Sequence, residues 1–313
     1  MPDRARRDSN LGGPCLILAW RTIFRRRHSC TICSNTMHQQ STDHGNLVYT
    51  SDAPALWSGR AIFALAFALC STSGACQTVS ITGRQQFNLF SVNQDKDLGS
   101  QAYAEVIKSE KLADHGPAFD MVQRVVARLA MVADDPGFEW EVHVIDDPKT
   151  ANAWCMPGGK IAVYTGILPV TQTETGLAVV LGHEIAHAVA RHGTERMSTQ
   201  QGADVLLGVA STQWKEAAQY QQVIGTAVNV FVFMPWGRDH ELEADHIGLL
   251  YMAKAGYDPR ESIEFWKRMS ANSGGGAPME FLSTHPSDDT RIAQLQKLMP
   301  EALAAYEASR GKQ

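Results

Sequence analysis

The segment His183-Glu184-Ile185-Ala186-His187 constrains this chain more than any other five residues in it. It lies in a helical pattern in which Val179, Val180, Ile185 and Val189 supply apolar packing. Along an α-helix, positions i and i+4 are offset by only about 40°, so His183 and His187 leave one face and can share a metal ion. Glu184 lies beside them, near enough to touch a water on that ion without being a ligand itself.

A catalytic zinc takes three protein ligands and keeps a fourth position open. The third ligand is read at Glu241, 54 residues beyond His187. Glu241, Ala244, Asp245 and Gly248 fall at i, i+3, i+4 and i+7, one helical face with small residues at its centre. Such a face can press closely on the His183–His187 helix. Glu241 would then reach the metal, and Asp245, one turn further on, could hold a ligand imidazole through its second nitrogen. Glu243 points roughly 200° away from Glu241 and reads as a solvated or salt-bridging side chain. His192, about 140° around the helix from His187, and His240 read as lying outside the ligand set.

These residues together resemble the zinc metallopeptidases of family forty-eight, the Ste-type, HtpX-type and Oma-type enzymes. Asn152-Ala153-Trp154-Cys155-Met156-Pro157-Gly158-Gly159-Lys160-Ile161 is similar to the family's N-A-x-x-x-P-G-G-x-I segment. Thr284-His285-Pro286 with Arg291-Ile292 is similar to its T-H-P…R-I segment. Cys76-Gln77-Thr78 and Thr82-Gly83-Arg84-Gln85-Gln86 resemble the mature start of its soluble, LoiP-like bacterial lipoprotein members. The resemblance runs over roughly residues 76–300. It implies an α+β, mainly helical zincin-type (gluzincin) domain with a small β-sheet beside the H-E-x-x-H helix. It also implies one Zn2+ per chain on His183, His187 and Glu241, with Glu184 as the catalytic acid–base in peptide-bond hydrolysis. The implied partners are unfolded or misassembled cell-envelope proteins. No multi-span membrane domain of the HtpX and Ste kinds is expected.

The remaining candidates lie around that centre. Phe138–Ile145 alternates as a strand, and Ala151–Cys155 and Lys160–Tyr164 read as two extended runs. Asn152, Ala153 and Trp154 could pair with an extended substrate as an edge strand, or simply belong to a hairpin. Cys155 could be redox-sensitive or merely buried. His285 could stabilise an oxyanion, occupy the open metal position as a latch, or cap the next helix. Gly274-Gly275-Gly276 and Pro286 around it suggest a mobile lid. Asp95–Lys111, Ala118–Val132 and nearly everything from Glu174 onward read as helices. Breaks are expected at Gly193, Pro235–Gly237, Gly256–Pro259, Gly274–Pro278 and Pro286.

The N-terminal quarter is of a different kind. Residues 1–75 carry eight Arg, no Lys, four Asp and no Glu, a net charge of +4 within a chain of net charge −5. The overall negative charge excludes nucleic acid as the expected partner. Arg60, the apolar run Ala61–Cys70 and a small, polar stretch have the parts of a secretory signal, the alternative being a buried helix of a small N-terminal domain. Ten apolar residues are too few for a transmembrane helix, which needs about 20. Ser73-Gly74-Ala75-Cys76 resembles a bacterial lipoprotein cleavage box, with Ser73 where a Leu-like residue is usual. A lipidated Cys76 followed by Gln77 would place the protein on the periplasmic face, anchored in the outer membrane. The expected organisation is therefore an extension and signal over 1–75, a tether over 76–94 and the metallopeptidase domain over 95–313. His28 with Cys30-x-x-Cys33 is half a metal motif with no second half. A chaperone-like lipoprotein with a structural or latched zinc is the rival reading. A soluble intracellular protease with an unprocessed N-terminus is a weaker third.

Overall fold

Residue Thr173 starts the helix on which everything else is built. Its hydroxyl accepts the Gly176 N–H at 3.0 Å, and Glu174 adds negative charge to the first turn. The helix it caps, Glu174–Val189, is buried at every position from Gly176 to Ala188. A helix that is apolar nearly all round belongs in the centre of a domain. The computed structural model describes residues 76–200, 217–272, 280–285 and 289–311. The expected signal, the lone Cys30–Cys33 pair, and the Gly274–Gly276 and Pro286 positions of the expected lid lie outside these residues.

In chain order the elements begin with strands β1 (Cys76–Thr78) and β2 (Gln85–Phe87), then helices α1 (Val92–Ile107) and α2 (Gly116–Ala130). Strands β3 (Glu141–Ile145), β4 (Ala153–Met156) and β5 (Lys160–Tyr164) follow, then a short helix α3 (Leu168–Thr171). The rest is helical: α4 (Glu174–Val189), α5 (His192–Gln200), α6 (Ala217–Val228), α7 (Arg238–Lys254), α8 (Glu261–Asn272), α9 (Glu280–Thr284) and α10 (Asp289–Arg310). A π-helical turn, Asn229–Phe233, extends α6. This is the mainly helical α+β domain with a small sheet that the sequence implies. No helix among the described residues is long and apolar enough to cross a membrane.

Local chemistry sets most boundaries. Ser91 and Gln94 form a reciprocal capping box at the start of α1. Pro117 occupies the first turn of α2, which buries Val122, Val125, Val126 and Leu129 along one stripe. The strand expected from Phe138 begins only at Glu141, because Asp135 Oδ1 accepts the N–H groups of Gly137 and Phe138 and holds them in a turn. β3 and β5 pair in parallel and β4 pairs antiparallel with β5, giving the order β3-β5-β4. The β4–β5 turn needs left-handed backbone at Gly158 (φ 89°) and Gly159 (φ 80°), conformations that suit glycine. β4 lies on α4: Ala153 and Cys155 join the main core, whereas Trp154 and Met156 join a second cluster with Tyr103 and Leu98.

Two features differ from the sequence reading. The break expected at Gly193 comes earlier, where α4 ends at Val189 and Arg191 takes the left-handed φ of 59°. That unusual backbone is held by the Arg191 side chain, which bonds Asp95 and donates to the Phe90 carbonyl at 2.6 Å. The segment expected as a tether carries β1 and β2, and Val79 and Phe90 beside them are buried. Arg84 of this hairpin is ion-paired to both Glu195 and Glu243.

The crossing of α4 and α7 positions the candidate site. A Cβ added to Gly248 would lie 2.8 Å from both Gly182 C and His183 N, so only glycine lets the two backbones meet this closely. The small-residue face read from Ala244 and Gly248 is therefore turned onto the His183–His187 helix.

Candidate metal centre

Four buried side chains converge where the two helices cross. Single ligand atoms of His183, His187, Glu241 and His285 all lie within 4.8 Å of one another. His183 Nε2 is 3.1 Å from His187 Nε2 and 3.2 Å from His285 Nδ1. Glu241 Oε2 is 3.4 Å from His183 Nε2, and Oε1 is 3.3 Å from His187 Nε2 and 3.0 Å from His285 Nδ1. Each of the four side chains is at most 3% exposed.

The donor set fits a metal. Atoms bound at about 2.0–2.1 Å in a tetrahedron stand roughly 3.3 Å apart, close to the spacings observed. Asp245 Oδ1 lies 3.0 Å from His183 Nδ1. In neutral His183 that nitrogen carries the hydrogen, leaving a lone pair on Nε2, which faces the cluster. Imidazole lone pairs and a carboxylate gathered out of water are a donor set that suits a cation.

The electrostatics agree. Burial alone would lower His183, but Glu241 and Asp245 push it up to about 9. That field favours positive charge at Nε2, and a divalent ion satisfies it with the imidazole neutral. Burial alone would raise Glu241, yet Arg291, His285 and His183 hold it well below the usual carboxylate range. Arg291 is itself buried: it donates to Asp245 at 2.6 and 2.7 Å, reaches Glu241 Oε2 at 2.6 Å and lies 3.6 Å over the Trp266 ring. Glu184 is buried beside the cluster with Oε1 3.3 Å from His285 Nε2, and burial raises its carboxyl above the ordinary range.

The other residues singled out from sequence fall as follows. Asn152 is buried, and its carbonyl accepts the Tyr164 N–H at 3.0 Å. Ala153 and Trp154 open β4, which is an edge of its sheet. Cys155 is buried, and burial holds its thiol well above the usual range, so it is poorly reactive. Cys76 is exposed.

Sequence reasoning gave three residues no part in supporting the centre. Arg291 was noted only as part of a motif. Glu243, read as solvated or salt-bridging, is 7% exposed and does form an ion pair, with Arg84 at 2.5 Å, and it also bonds Thr82. His192, placed outside the ligand set, is fully buried, with Nδ1 2.9 Å from His187 Nδ1 and Nε2 2.9 Å from Glu243 Oε2. Burial pushes His192 down to about 4, although the Glu243 hydrogen bond opposes the shift. A His so close after the helix end, paired with an acid inside the remote motif, was the available signal.

Two imidazoles from one helix turn, a carboxylate from a crossing helix and a second buried carboxylate beside them fit the centre of a metal-dependent hydrolase. Comparison with known proteins agrees. Residues 118–299 match Peptidase family M48, and the chain belongs to that family. It is 37% identical over 235 residues to the mitochondrial metalloendopeptidase OMA1 of Schizosaccharomyces pombe, covering 74% of this chain and 68% of that one. Against mitochondrial metalloendopeptidase OMA1 of Saccharomyces cerevisiae it is 33% identical over 272 residues, covering 80% and 78%. The β-barrel assembly-enhancing protease of Escherichia coli is 25% identical over 230 residues, covering 70% of this chain and 46% of that protein. The chain is thus a metalloendopeptidase.

The relatives also correct one expectation. Two of these enzymes are named as mitochondrial, which overturns the placement as a bacterial outer-membrane lipoprotein. The prefix misled because its features are ambiguous: an Arg-rich, acid-poor stretch is the composition of organelle-targeting peptides as well as of export signals.

Proposed function

We propose that this chain is a zinc-dependent endopeptidase that cuts unfolded or misassembled proteins, with Glu184 as the general base. The observation that carries the proposal is the convergence of His183 Nε2, His187 Nε2 and Glu241 on one buried point, with Glu184 beside it. A zinc ion there would acidify water and polarise the scissile carbonyl. His183, His187 and Glu241 would hold the ion. Asp245 orients His183, and Arg291 keeps Asp245 and Glu241 ionised. Glu184 takes the proton from the attacking water and passes it to the leaving amine nitrogen. Its raised affinity for a proton, a result of burial, suits that transfer.

Edge strand β4, opened by Ala153 and Trp154 just after Asn152, supports recognition of an extended chain by strand addition. An extended substrate must be locally unfolded, which favours damaged or unassembled proteins over folded ones. The E. coli relative's name, tied to β-barrel assembly, points the same way.

His285 supports a role at the fourth corner of the cluster, either as a latch or, when swung aside, as an oxyanion donor. A site closed by four protein ligands is also how structural zinc is held. This favours a second reading, a chaperone-like protein with a permanently latched ion. One pair of measurements separates them. Glu184→Gln should retain one zinc per chain and lose chelator-sensitive casein cleavage by roughly 10²–10⁴-fold. Turnover retained in that variant removes the base assignment. Absence of chelator-sensitive cleavage in both wild type and His285→Ala would favour the second reading.

A further inference from the structure

The two histidine ligands are supported in different ways. His183 rests directly on a carboxylate, Asp245. His187 rests on another imidazole, and the carboxylate comes one link later. The links run His187 Nδ1 to His192 Nδ1 at 2.9 Å, then His192 Nε2 to Glu243 Oε2 at 2.9 Å. Glu243 is fixed in turn by Arg84 Nε at 2.5 Å and by the Thr82 hydroxyl. Arg84 is held from the other side by a two-pronged contact with Glu195, at 2.7 Å for each prong. Rings close the remaining faces: Trp236 stacks on His187 at 4.4 Å, and His240 stacks on His192 at 4.4 Å.

We propose that His192 and Glu243 form a positioning relay for His187, fixing the tautomer that presents its Nε2 lone pair to the metal, and that the N-terminal hairpin anchors this relay through Thr82 and Arg84. The direction of every hydrogen bond follows from its end. A carboxylate only accepts, so His192 Nε2 carries the hydrogen that faces Glu243. The other nitrogen of neutral His192 is then a lone pair, and the hydrogen between the two Nδ1 atoms belongs to His187. With its hydrogen on Nδ1, His187 has its lone pair on Nε2, the atom facing His183 and Glu241. The opposite tautomer would aim an N–H at the cation and block binding. The left-handed turn at Arg191 folds the chain back so that His192 can meet His187 only five residues away.

This inference rests on the ligand set proposed above, and the test separates the two. Zinc affinity of the full chain is measured by competition with a chromophoric chelator, and the fold of each variant is checked by circular dichroism. Glu241→Ala tests the ligand set: unchanged zinc affinity there would remove the proposed site itself. His192→Phe and Glu243→Ala test the relay, and each is expected to weaken zinc roughly 10- to 100-fold, the range for lost outer partners of a ligand. Glu243→Gln should stay within about threefold of wild type. Its carbonyl oxygen can still accept from His192 and Arg84 while its NH2 turns to the Thr82 hydroxyl. A long-range 15N–1H spectrum of the folded wild type should show the His187 hydrogen on Nδ1. The relay is overturned if that hydrogen lies on Nε2. It is equally overturned if His192→Phe and Glu243→Ala both bind zinc like wild type while Glu241→Ala does not.

Discussion

Replacing Gly248 with alanine is the sharpest test of how the helices hold the site. The added methyl carbon would sit 2.8 Å from two backbone atoms of α4, Gly182 C and His183 N. Against an ordinary contact of at least 3.4 Å, the deficit is about 0.6 Å, and backbone cannot rotate out of the way as a side chain can. α7 must therefore lift from α4. Overpacking of this kind costs about 1–3 kcal/mol, visible as a lower urea midpoint at unchanged slope. Glu241 lies two turns along α7 from Gly248 and rides on the displaced helix. A ligand misplaced by more than about 0.5 Å weakens both metal binding and turnover, so casein cleavage should fall by roughly 10-fold or more. The matched control is Gly225→Ala on α6, where the new methyl meets nothing within 4 Å. It should stabilise by about 0.5–1 kcal/mol, the helix-propensity gain alone. The reasoning fails if Gly248→Ala unfolds within about 0.5 kcal/mol of wild type and binds zinc normally.

Other outcomes follow from the same geometry. Arg291→Met leaves Asp245 and Glu241 without their cation in a buried site and should cost about 3–5 kcal/mol in the metal-free protein, measured by urea denaturation; a loss under about 1 kcal/mol would contradict the pairing. Glu195 is held down to about 2: burial would raise it, but hydrogen bonds from His240 and Arg84 prevail. Its folded value lies below the unfolded value of about 4.3, so its contribution is complete above about pH 4.5 and is lost as pH falls toward 2. A Glu195→Gln variant should show a flatter decline of urea midpoint over that window. Zinc at 100 times its dissociation constant should stabilise the fold by about 2.7 kcal/mol, read as a thermal shift that a chelator reverses.

The candidate ligand set was legible because its geometry is almost wholly helical. His183 and His187 are one turn apart, and Ala244 and Gly248 mark the face that lets a second helix bring Glu241 across. Neither fact needs knowledge of the rest of the fold. His192, read as lying outside the ligand set, also lies outside the cluster, but its contact with His187 was hidden for the complementary reason. Its angle of about 140° from His187 assumes that the helix continues, whereas Arg191 takes a φ of 59° and turns the chain back. Glu243 does point away from Glu241 along α7, but whether that side meets water depends on the hairpin that covers it. Strands β1 and β2 are three residues each, too short to reveal a two-residue period. The compartment was lost in a prefix whose composition fits more than one destination.

The two oxygens of the Glu241 carboxylate face different partners. Oε2 faces the Arg291 guanidinium at 2.6 Å, while Oε1 faces His187 and His285. Oε2 therefore carries an arginine on one side while still lying 3.4 Å from His183 Nε2 on the other. A cation held at the cluster would meet a carboxylate whose charge Arg291 already partly offsets.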